Sequence, residues 1–177
     1  MIMPAKSPIF TTSQGVRFGV EICEDVWAPI PPSNNLTLAG ADIIFNMSAS
    51  DELIGKHDYL KTLLSQQSAR TMCGYVYSSC GFGESTQDVV YGGNAIIHEN
   101  GKLLAEGERF SLSAQIVSAQ IDVERLRAER RNNTTFVTAQ HNAMTEEHIV
   151  DCHGIDMKYD FKLEREVEPH PFIPHTD

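Results

Sequence analysis

The sequence has 177 residues, which is enough for one domain or for one and a half. Hydrophobic residues make up 41% of it, so the chain can bury a sizeable core. It has 24 acidic and 14 basic residues and a formal net charge of -10. This acidic balance argues against a nucleic-acid backbone or an anionic membrane as the main partner. No apolar run approaches the roughly 18–20 residues that span a bilayer, and the start lacks the layout of a signal peptide.

The cysteine pattern points to a reducing environment. The four cysteines, at positions 23, 73, 80 and 152, show neither CxxC spacing nor a paired histidine pattern. A zinc site or a disulfide framework is therefore not expected, and no metal is predicted for this chain. Unpaired cysteines are typical of a cytoplasmic protein, which is the localisation that we expect.

The first 48 residues predict three strands and one short helix. Residues 9–12 and 16–22 favour two strands joined by a turn, because β-branched and aromatic residues are frequent in them. Residues 28–35 predict a loop because they contain three prolines, and residues 36–41 a short helix. Residues 42–48 are almost continuously apolar, which is typical of a strand that is buried on both faces.

The middle of the chain predicts a helix, a strand and a hairpin. Residues 57–74 have apolar side chains at helical spacing and a glycine, Gly74, where the helix should end. Residues 75–81 read as a strand. Residues 94–108 predict a hairpin, because Asn100 and the glycine after it can adopt the positive φ angles of a type I′ turn.

The last part of the chain is polar after one further strand and helix. Residues 114–122 predict the strand, and Asp122 can cap a helix over 123–131 that ends in arginines. Residues 137–177 contain several prolines and few apolar runs, so we expect a tail or linker there. Strands that alternate with two clear helices indicate an α/β protein rich in sheet.

The segment "GVEICEDVW", residues 19–27, raises the question of why Cys23 follows a strand directly. Buried cysteine in a protein core is the ordinary explanation. The alternative is a nucleophile on a sharp turn after a strand, where the next backbone N–H can face a developing oxyanion. Two acids follow at once and disfavour the thiolate, so such a nucleophile needs a base or cation from elsewhere.

The motif "FGVEICEDVW" resembles the cysteine segment of the nitrilase superfamily. More narrowly, the chain resembles the glutaminase domains of glutamine-dependent NAD+ synthetases, through "PPSNNLTLAGADIIFNMSAS", "IGKHDYLKTLLSQQSAR", "YVYSSCGFGESTQDVVYGGNAIIHENGKLLAEGERF" and "DVERLRAERRNNTTF". The resemblance covers about residues 9–136. It implies a partial α-β-β-α nitrilase-type sandwich, with residues 1–136 as its C-terminal half and residues 137–177 as a tail or linker towards a synthetase domain.

The same resemblance assigns roles to five residues. It makes Cys23 the nucleophile that forms a thioester with the side-chain carbonyl of glutamine, and it makes the backbone N–H of Glu24 an oxyanion donor. Ser50 and Lys56 match glutamine-binding positions, where a hydroxyl and a cation suit the amino-acid head. Trp27 matches an aromatic position beside the nucleophile. From the residues alone a turn serine and a surface lysine are the favoured interpretations of Ser50 and Lys56, and a core aromatic explains Trp27 as well as a pocket wall does.

The resemblance also implies the partners of the parent enzyme. Such an enzyme is a ligase with glutamine amidotransferase activity, and its glutaminase domain supplies ammonia for the amidation of deamido-NAD+. ATP and Mg²⁺ serve the synthetase domain, and no cofactor is implied for the present chain. Nitrilase-type domains commonly pair, so we expect a homo-oligomer.

One departure from the family concerns the catalytic triad. The family uses a glutamate and a lysine that precede the cysteine by many tens of residues. Only 22 residues precede Cys23, and the single lysine among them, Lys6, has the wrong context. We therefore expect half of a glutaminase domain that is inactive by itself. Two alternatives remain open: a stand-alone nitrilase-like amidase, and an inactive assembly or binding module.

Overall fold

A computed structural model of the protein describes residues 7–84, 88–143, 148–152, 154–155, 162–170 and 173. Within these residues the chain forms one seven-stranded sheet, in the order β6-β5-β4-β3-β2-β1-β7. Its strands are β1 (Ile9–Thr11), β2 (Arg17–Ile22), β3 (Ile43–Ser48), β4 (Gly74–Ser79), β5 (Ala95–Glu99), β6 (Lys102–Glu106) and β7 (Ile149–Asp151). The helices described are α1 (Pro32–Leu38), α2 (Lys56–Thr71), α3 (Val123–Asn132) and α4 (Thr134–Asn142). The predicted α/β class is confirmed.

Three parallel strands form the centre of the sheet. β2 pairs with β3, and β3 pairs with β4, both in parallel. α1 and α2 provide the crossovers between them, as parallel neighbours require. The carboxyl ends of β2, β3 and β4 therefore meet at one edge of the sheet, where parallel α/β proteins place their ligands.

The predicted hairpin is confirmed and extends the sheet on one side. β4, β5 and β6 are antiparallel neighbours. Asn100 has a φ of 45° and Gly101 a φ of 87°, the two positive angles of a type I′ turn. The turn rests on α2, because the Ser68 hydroxyl accepts the Gly101 N–H at 2.8 Å.

The described helices cover one face of the sheet only, and the core lies between them and that face. Ile44 and Leu64 are both fully buried there. The prediction that β3 is buried on both faces is wrong: Phe45 and Met47 point to the opposite face and are 36% and 56% exposed. The apolar run of β3 thus contains one face that packs under helices and one that no helix in the described part of the chain covers.

Two helix boundaries differ from the sequence prediction for local reasons. α1 begins at Pro32, inside the predicted loop, because proline has a helical φ and its missing N–H is not needed at the first helical position. α2 ends at Thr71, and the residue that caps it, Met72, has a φ of 47°. Gly74, the predicted stop, is instead the first residue of β4.

Residues 114–122 form no strand in the structure, contrary to the prediction. Ile121 lies over the start of β4, where a side chain on Gly74 would approach it to 2.8 Å. The Asp122 carboxylate accepts the Arg125 N–H at 2.9 Å, so the predicted cap of α3 is confirmed. Ile121 thus packs on the sheet although the backbone of this segment has no strand partner.

Some of the described residues beyond 136 form secondary structure or ion pairs with the sheet. The boundary at residue 136 falls inside α4, and β7 pairs in parallel with β1. Arg165 forms a two-pronged ion pair with the Glu99 carboxylate, at 2.8 Å for each contact. Charged groups thus attach part of the predicted linker to the sheet.

Candidate functional site

Cys23 begins a short 3-10 turn, Cys23–Trp27, directly after β2. Its φ of 49° is a left-handed conformation that is uncommon for a residue with a side chain. The Asp25 carboxylate accepts the Ile22 N–H at 2.7 Å, and the side chain of Val26 is buried. The two acids after the cysteine thus differ in role: Asp25 closes the turn, whereas Glu24 lies exposed on it. The turn holds a half-exposed thiol at the carboxyl edge of the sheet.

Tyr77 connects Cys23 with the ends of the next two strands. The Tyr77 hydroxyl donates to Ser48 Oγ at 2.9 Å. Burial raises the pKa of the Tyr77 phenol, and the nearby Cys23 thiol acts in the same direction. Hydrogen bonds with Ser48 and Ser50 act against that increase. Burial also raises the pKa of the Cys80 thiol, to which Cys23 again contributes. Cys23 and Ser50 therefore both influence the Tyr77 phenol, which is buried at this edge of the sheet.

A buried polar group supports the turn from the helix side. The Glu21 carboxylate is 1% exposed; it accepts the Ser33 N–H at 2.8 Å and a short hydrogen bond from the Tyr75 hydroxyl. Asn46 Nδ2 lies 3.4 Å from both the Tyr75 hydroxyl and the Cys23 carbonyl oxygen. Glu21 thus faces the core between sheet and helices. Its acceptor positions serve Tyr75 and the first turn of α1.

Lys56 and Trp27 come together at the same edge. Lys56 Nζ lies 2.7 Å from Asp51 Oδ1 and 5.7 Å from the centre of the Trp27 ring. Trp27 in turn stacks on Tyr59, with 5.5 Å between ring centres and 18° between planes. The hydrogen bond from Lys56 holds the pKa of the Asp51 carboxyl below its ordinary value. A cation and a carboxylate therefore adjoin Ser50, and an aromatic ring lies beside the cation.

A network around Glu52 fixes the loop that carries these residues. The Glu52 carboxylate accepts Arg109 Nη2 at 2.7 Å and Asn94 Nδ2 at 2.5 Å. Its N–H donates to the Val90 carbonyl at 2.7 Å. Gly92 leaves the space for the Glu52 carboxylate, because any Cβ at that position would collide with it. The loop between β3 and α2 is thus tied to the segment that precedes β5.

His57 extends this network to the hairpin. Its Nδ1 lies 2.8 Å from Asn94 Oδ1, and its Nε2 lies 3.1 Å from Glu106 Oε1. Lys61 Nζ contacts the other Glu106 oxygen at 2.5 Å. Since Asn94 donates its amide to Glu52, its oxygen faces His57. The start of α2 is therefore held against β5 and β6.

The structure places Ser50 and Lys56 around one small cavity and Trp27 beside Lys56, and it places Cys23 and Glu24 on the turn that ends at Trp27. Trp27 is half-buried: it packs against the core cluster and also lies beside Lys56. Sequence reasoning missed Tyr77, Asp51 and Glu52. Tyr77 could have been suspected, since a buried tyrosine in a strand needs a hydroxyl partner. No three potential metal ligands converge within the described residues. A small cavity of about 10 Å³ is lined by Ser50, Asp51, Glu52, Lys56, His57, Leu60 and Asn94.

Comparison with known proteins identifies a family and several relatives. The carbon-nitrogen hydrolase family model matches residues 1–131. The glutamine-dependent NAD(+) synthetase of Mycobacterium tuberculosis is 42% identical over 163 residues, which cover 90% of this chain and 24% of that protein. The chain thus spans about a quarter of the length of the curated relatives that it matches. The helices described are all too short or too polar to cross a membrane.

Solved structures show the same fold. A carbon-nitrogen hydrolase from Helicobacter pylori superimposes with a TM-score of 0.61 at 20% identity, over 77% of this chain and 50% of that one. A glutamine-dependent NAD(+) synthetase from Cytophaga hutchinsonii gives a TM-score of 0.54 at 28% identity, over 63% and 18%. The first match covers half of the Helicobacter pylori chain, which agrees with the prediction of a partial sandwich.

Proposed function

Because this chain belongs to the carbon-nitrogen hydrolase family, we propose that it forms part of a domain that hydrolyses the side-chain amide of glutamine. The observation that carries this proposal is that three groups lie after parallel strands at the same edge of the sheet. They are the thiol of Cys23 on its left-handed turn, the hydroxyl of Ser50 and the ammonium of Lys56. The similarity to glutamine-dependent NAD(+) synthetases supports glutamine over other amides.

In the proposed reaction, Cys23 Sγ attacks the carbon of the glutamine side-chain amide. The developing oxyanion faces the backbone N–H of Glu24, a donor that is fixed before the charge appears. The C–N bond breaks, the nitrogen leaves with the thiol proton as ammonia, and a thioester remains. Water then cleaves the thioester, which releases glutamate and restores the thiol.

Ser50, Lys56 and Trp27 bind the substrate in this proposal. Lys56 is placed for the carboxylate of the amino-acid head, Ser50 for a hydrogen bond to it, and Trp27 for one wall of the pocket. Glu21, two residues before the nucleophile, receives no role as base, because its carboxylate is buried against Tyr75 and the Ser33 N–H. The base and lysine of the family precede the cysteine at a greater distance.

The wider reaction follows from the relatives and is proposed with it. The ammonia would amidate deamido-NAD+ in a synthetase domain that uses ATP and Mg²⁺. The residues after 136 would lead towards that domain. The protein would be cytoplasmic, in keeping with its free cysteines. It would form a homo-oligomer through the open face, which is the face of the sheet that carries Phe45 and Met47 and that no described helix covers.

A chimaera tests the nucleophile and the substrate. This chain would replace the matching segment of the Mycobacterium tuberculosis relative, and ammonia and glutamate released from glutamine would be measured. We expect activity in the chimaera, its loss in Cys23→Ala, and its retention in Cys80→Ala, which removes another thiol at the same edge. Full activity of a folded Cys23→Ala chimaera would refute the proposal.

The 177-residue polypeptide by itself should release no ammonia from glutamine. General base catalysis and activation of the nucleophile are each worth roughly 10²–10⁴ in rate, and no residue of the described site is placed to supply them. Ammonia release by the purified polypeptide, abolished by Cys23→Ala, would contradict this expectation.

A further inference from the structure

We propose that Asp51 and Lys56 act as a pair that recognises the two opposite charges of a free α-amino acid. Asp51 would accept the α-ammonium group, and Lys56 would bind the α-carboxylate. This inference rests on the proposed function and deepens it, because it assigns the choice between glutamine and simpler amides to Asp51.

The geometry of the pair matches such a head group. Lys56 Nζ and Asp51 Oδ1 are 2.7 Å apart, and both side chains remain partly exposed, at 21% and 38%. An α-amino acid presents its ammonium and carboxylate on one carbon, so the two groups can face a carboxylate and an ammonium that are neighbours. A substrate with only one of these charges would leave one member of the pair without a counterpart.

The loop holds Asp51 in this place by contacts that do not involve Lys56. Asp51 forms an antiparallel β-bridge with Tyr91. The next residue, Glu52, is fixed on both sides, by its N–H to Val90 and by its carboxylate to Arg109. The carboxylate of Asp51 is therefore presented by an anchored backbone and not by the ion pair alone.

The ion pair can open for a ligand. Pairs that are exposed to solvent are held weakly, because water solvates both charges and the side chains lose freedom on pairing. A zwitterionic head replaces the one contact between Lys56 and Asp51 by two contacts of the same kind. A ligand without the ammonium must instead compete with Asp51 for Lys56.

Trp27 provides the measurement, because it is the only tryptophan of the chain and lies beside Lys56. The complete 177-residue chain would be titrated with glutamine and with glutaramate, which is glutamine without its ammonium, while Trp27 fluorescence is recorded. We expect glutamine to bind about tenfold more tightly than glutaramate, the factor that one charge-assisted hydrogen bond contributes.

Asp51→Asn is the decisive variant. It should weaken glutamine binding about tenfold and leave glutaramate binding unchanged or tighter, so that the preference disappears. Asp58→Asn makes the same change of charge on an exposed residue of α2 and should keep the preference. An equal loss for both ligands in Asp51→Asn would mean that Asp51 only positions Lys56, and would overturn the proposal. An unchanged preference, or no response of the wild-type chain to glutamine, would overturn it too.

Cys23→Ala separates this inference from the proposed function. The variant should bind glutamine as the wild type does, since Sγ is not part of the head-group site. Glutamine binding that depends on Asp51, together with a chimaera that stays inactive, would support the recognition pair and refute the hydrolysis. An active chimaera with no effect of Asp51→Asn would do the reverse.

Discussion

The two faces of the sheet differ in what covers them. On one face, α1 and α2 pack on the sheet, so that Ile44 of β3 and Leu64 of α2 are completely buried. The buried Glu21 carboxylate on this face accepts a hydrogen bond from the Ser33 N–H. On the other face Phe18 contacts Phe10 and Phe45 with ring centres 5.2 and 5.5 Å apart, but Phe45 stays partly exposed. The second face is apolar without being covered, which is typical of a surface that another layer contacts.

This difference explains why a strand can mislead when it is read alone. The alternate residues of β3 belong to two different layers of the fold, and both layers are apolar. In a sandwich, the second face packs on another sheet about 10 Å away. The helix face is therefore the part of the core that this chain completes with its own described residues.

A cavity on the helix face should have the largest effect on stability. Leu64→Ala removes side-chain atoms from a fully buried site, so the free energy of unfolding should fall by about 2–5 kcal/mol. Met47→Ala, on the open face, should cost less than about 1 kcal/mol. Urea denaturation of both variants measures the difference. An equal loss would mean that Met47 is covered in solution.

Association through the open face should be the next largest effect. Covering Phe45 and Met47, which are 36% and 56% exposed, with another chain would favour association by roughly 1–3 kcal/mol, and Phe45→Asp would oppose this. We expect light scattering at micromolar concentration to show a species larger than 19.7 kDa for the wild type, and a shift towards 19.7 kDa for the variant. A wild-type chain that is a monomer with a cooperative melt would contradict the open-face interpretation.

Two cysteines also differ in how far they are buried, and the expected effect is smaller. Burial raises the pKa of the Cys73 thiol to about 11, and the residue is fully buried under the helices. Cys23 is half-exposed on its turn. Brief alkylation at pH 8 should therefore modify Cys23 at least about tenfold faster, which corresponds to about 1.4 kcal/mol. Peptide mass mapping gives the order, and equal labelling would count against an accessible thiol at position 23.

The smallest expected effect concerns Glu99 and the chain after 136. Burial acts to raise the pKa of Glu99, but hydrogen bonds from Arg165 and the Asp122 N–H outweigh it and lower the pKa below 4.5. A lowered folded-state pKa stabilises the fold above the unfolded-state pKa, and this contribution is lost as pH falls through the folded value. The fold should therefore lose up to about 1 kcal/mol below pH 4.5.

Glu99→Gln tests this dependence, since glutamine keeps the shape but does not titrate. The difference in unfolding free energy between pH 7 and pH 3 should shrink in the variant by the contribution of Glu99. A pH dependence identical to that of the wild type would show that the ion pair with Arg165 adds nothing measurable.

The sequence predicted those elements whose signals are local. The hairpin at Asn100 and the cap at Asp122 depend on a few neighbouring residues, and both are confirmed. The strand predicted over 114–122 is wrong, because an apolar residue such as Ile121 can pack on the sheet without its backbone pairing with another strand. The sequence analysis did not predict α4 or β7. β7 contains only three residues and depends on pairing with β1, so it leaves little local signal.

The sequence indicated some residues of the candidate site and missed the residues that support them. The resemblance indicated Cys23, Ser50 and Lys56, and the parallel strands place them at one edge. The support by Glu52 could not be predicted, because its partners Asn94 and Arg109 lie 42 and 57 residues further along the chain. Polar contacts between residues so far apart in the chain depend on the register of the strands, and this register cannot be predicted from the sequence.

The left-handed backbone of Cys23 sets folding and chemistry against each other at one residue. A non-glycine residue in that conformation costs of order 1–3 kcal/mol, whereas glycine adopts it freely. Selection for folding alone would thus favour glycine at position 23. A cysteine at this position lowers the free energy of unfolding. Cys23→Gly should therefore melt at a higher temperature than both the wild type and Cys23→Ala, so thermal tolerance and thiol chemistry could not be improved together at this position.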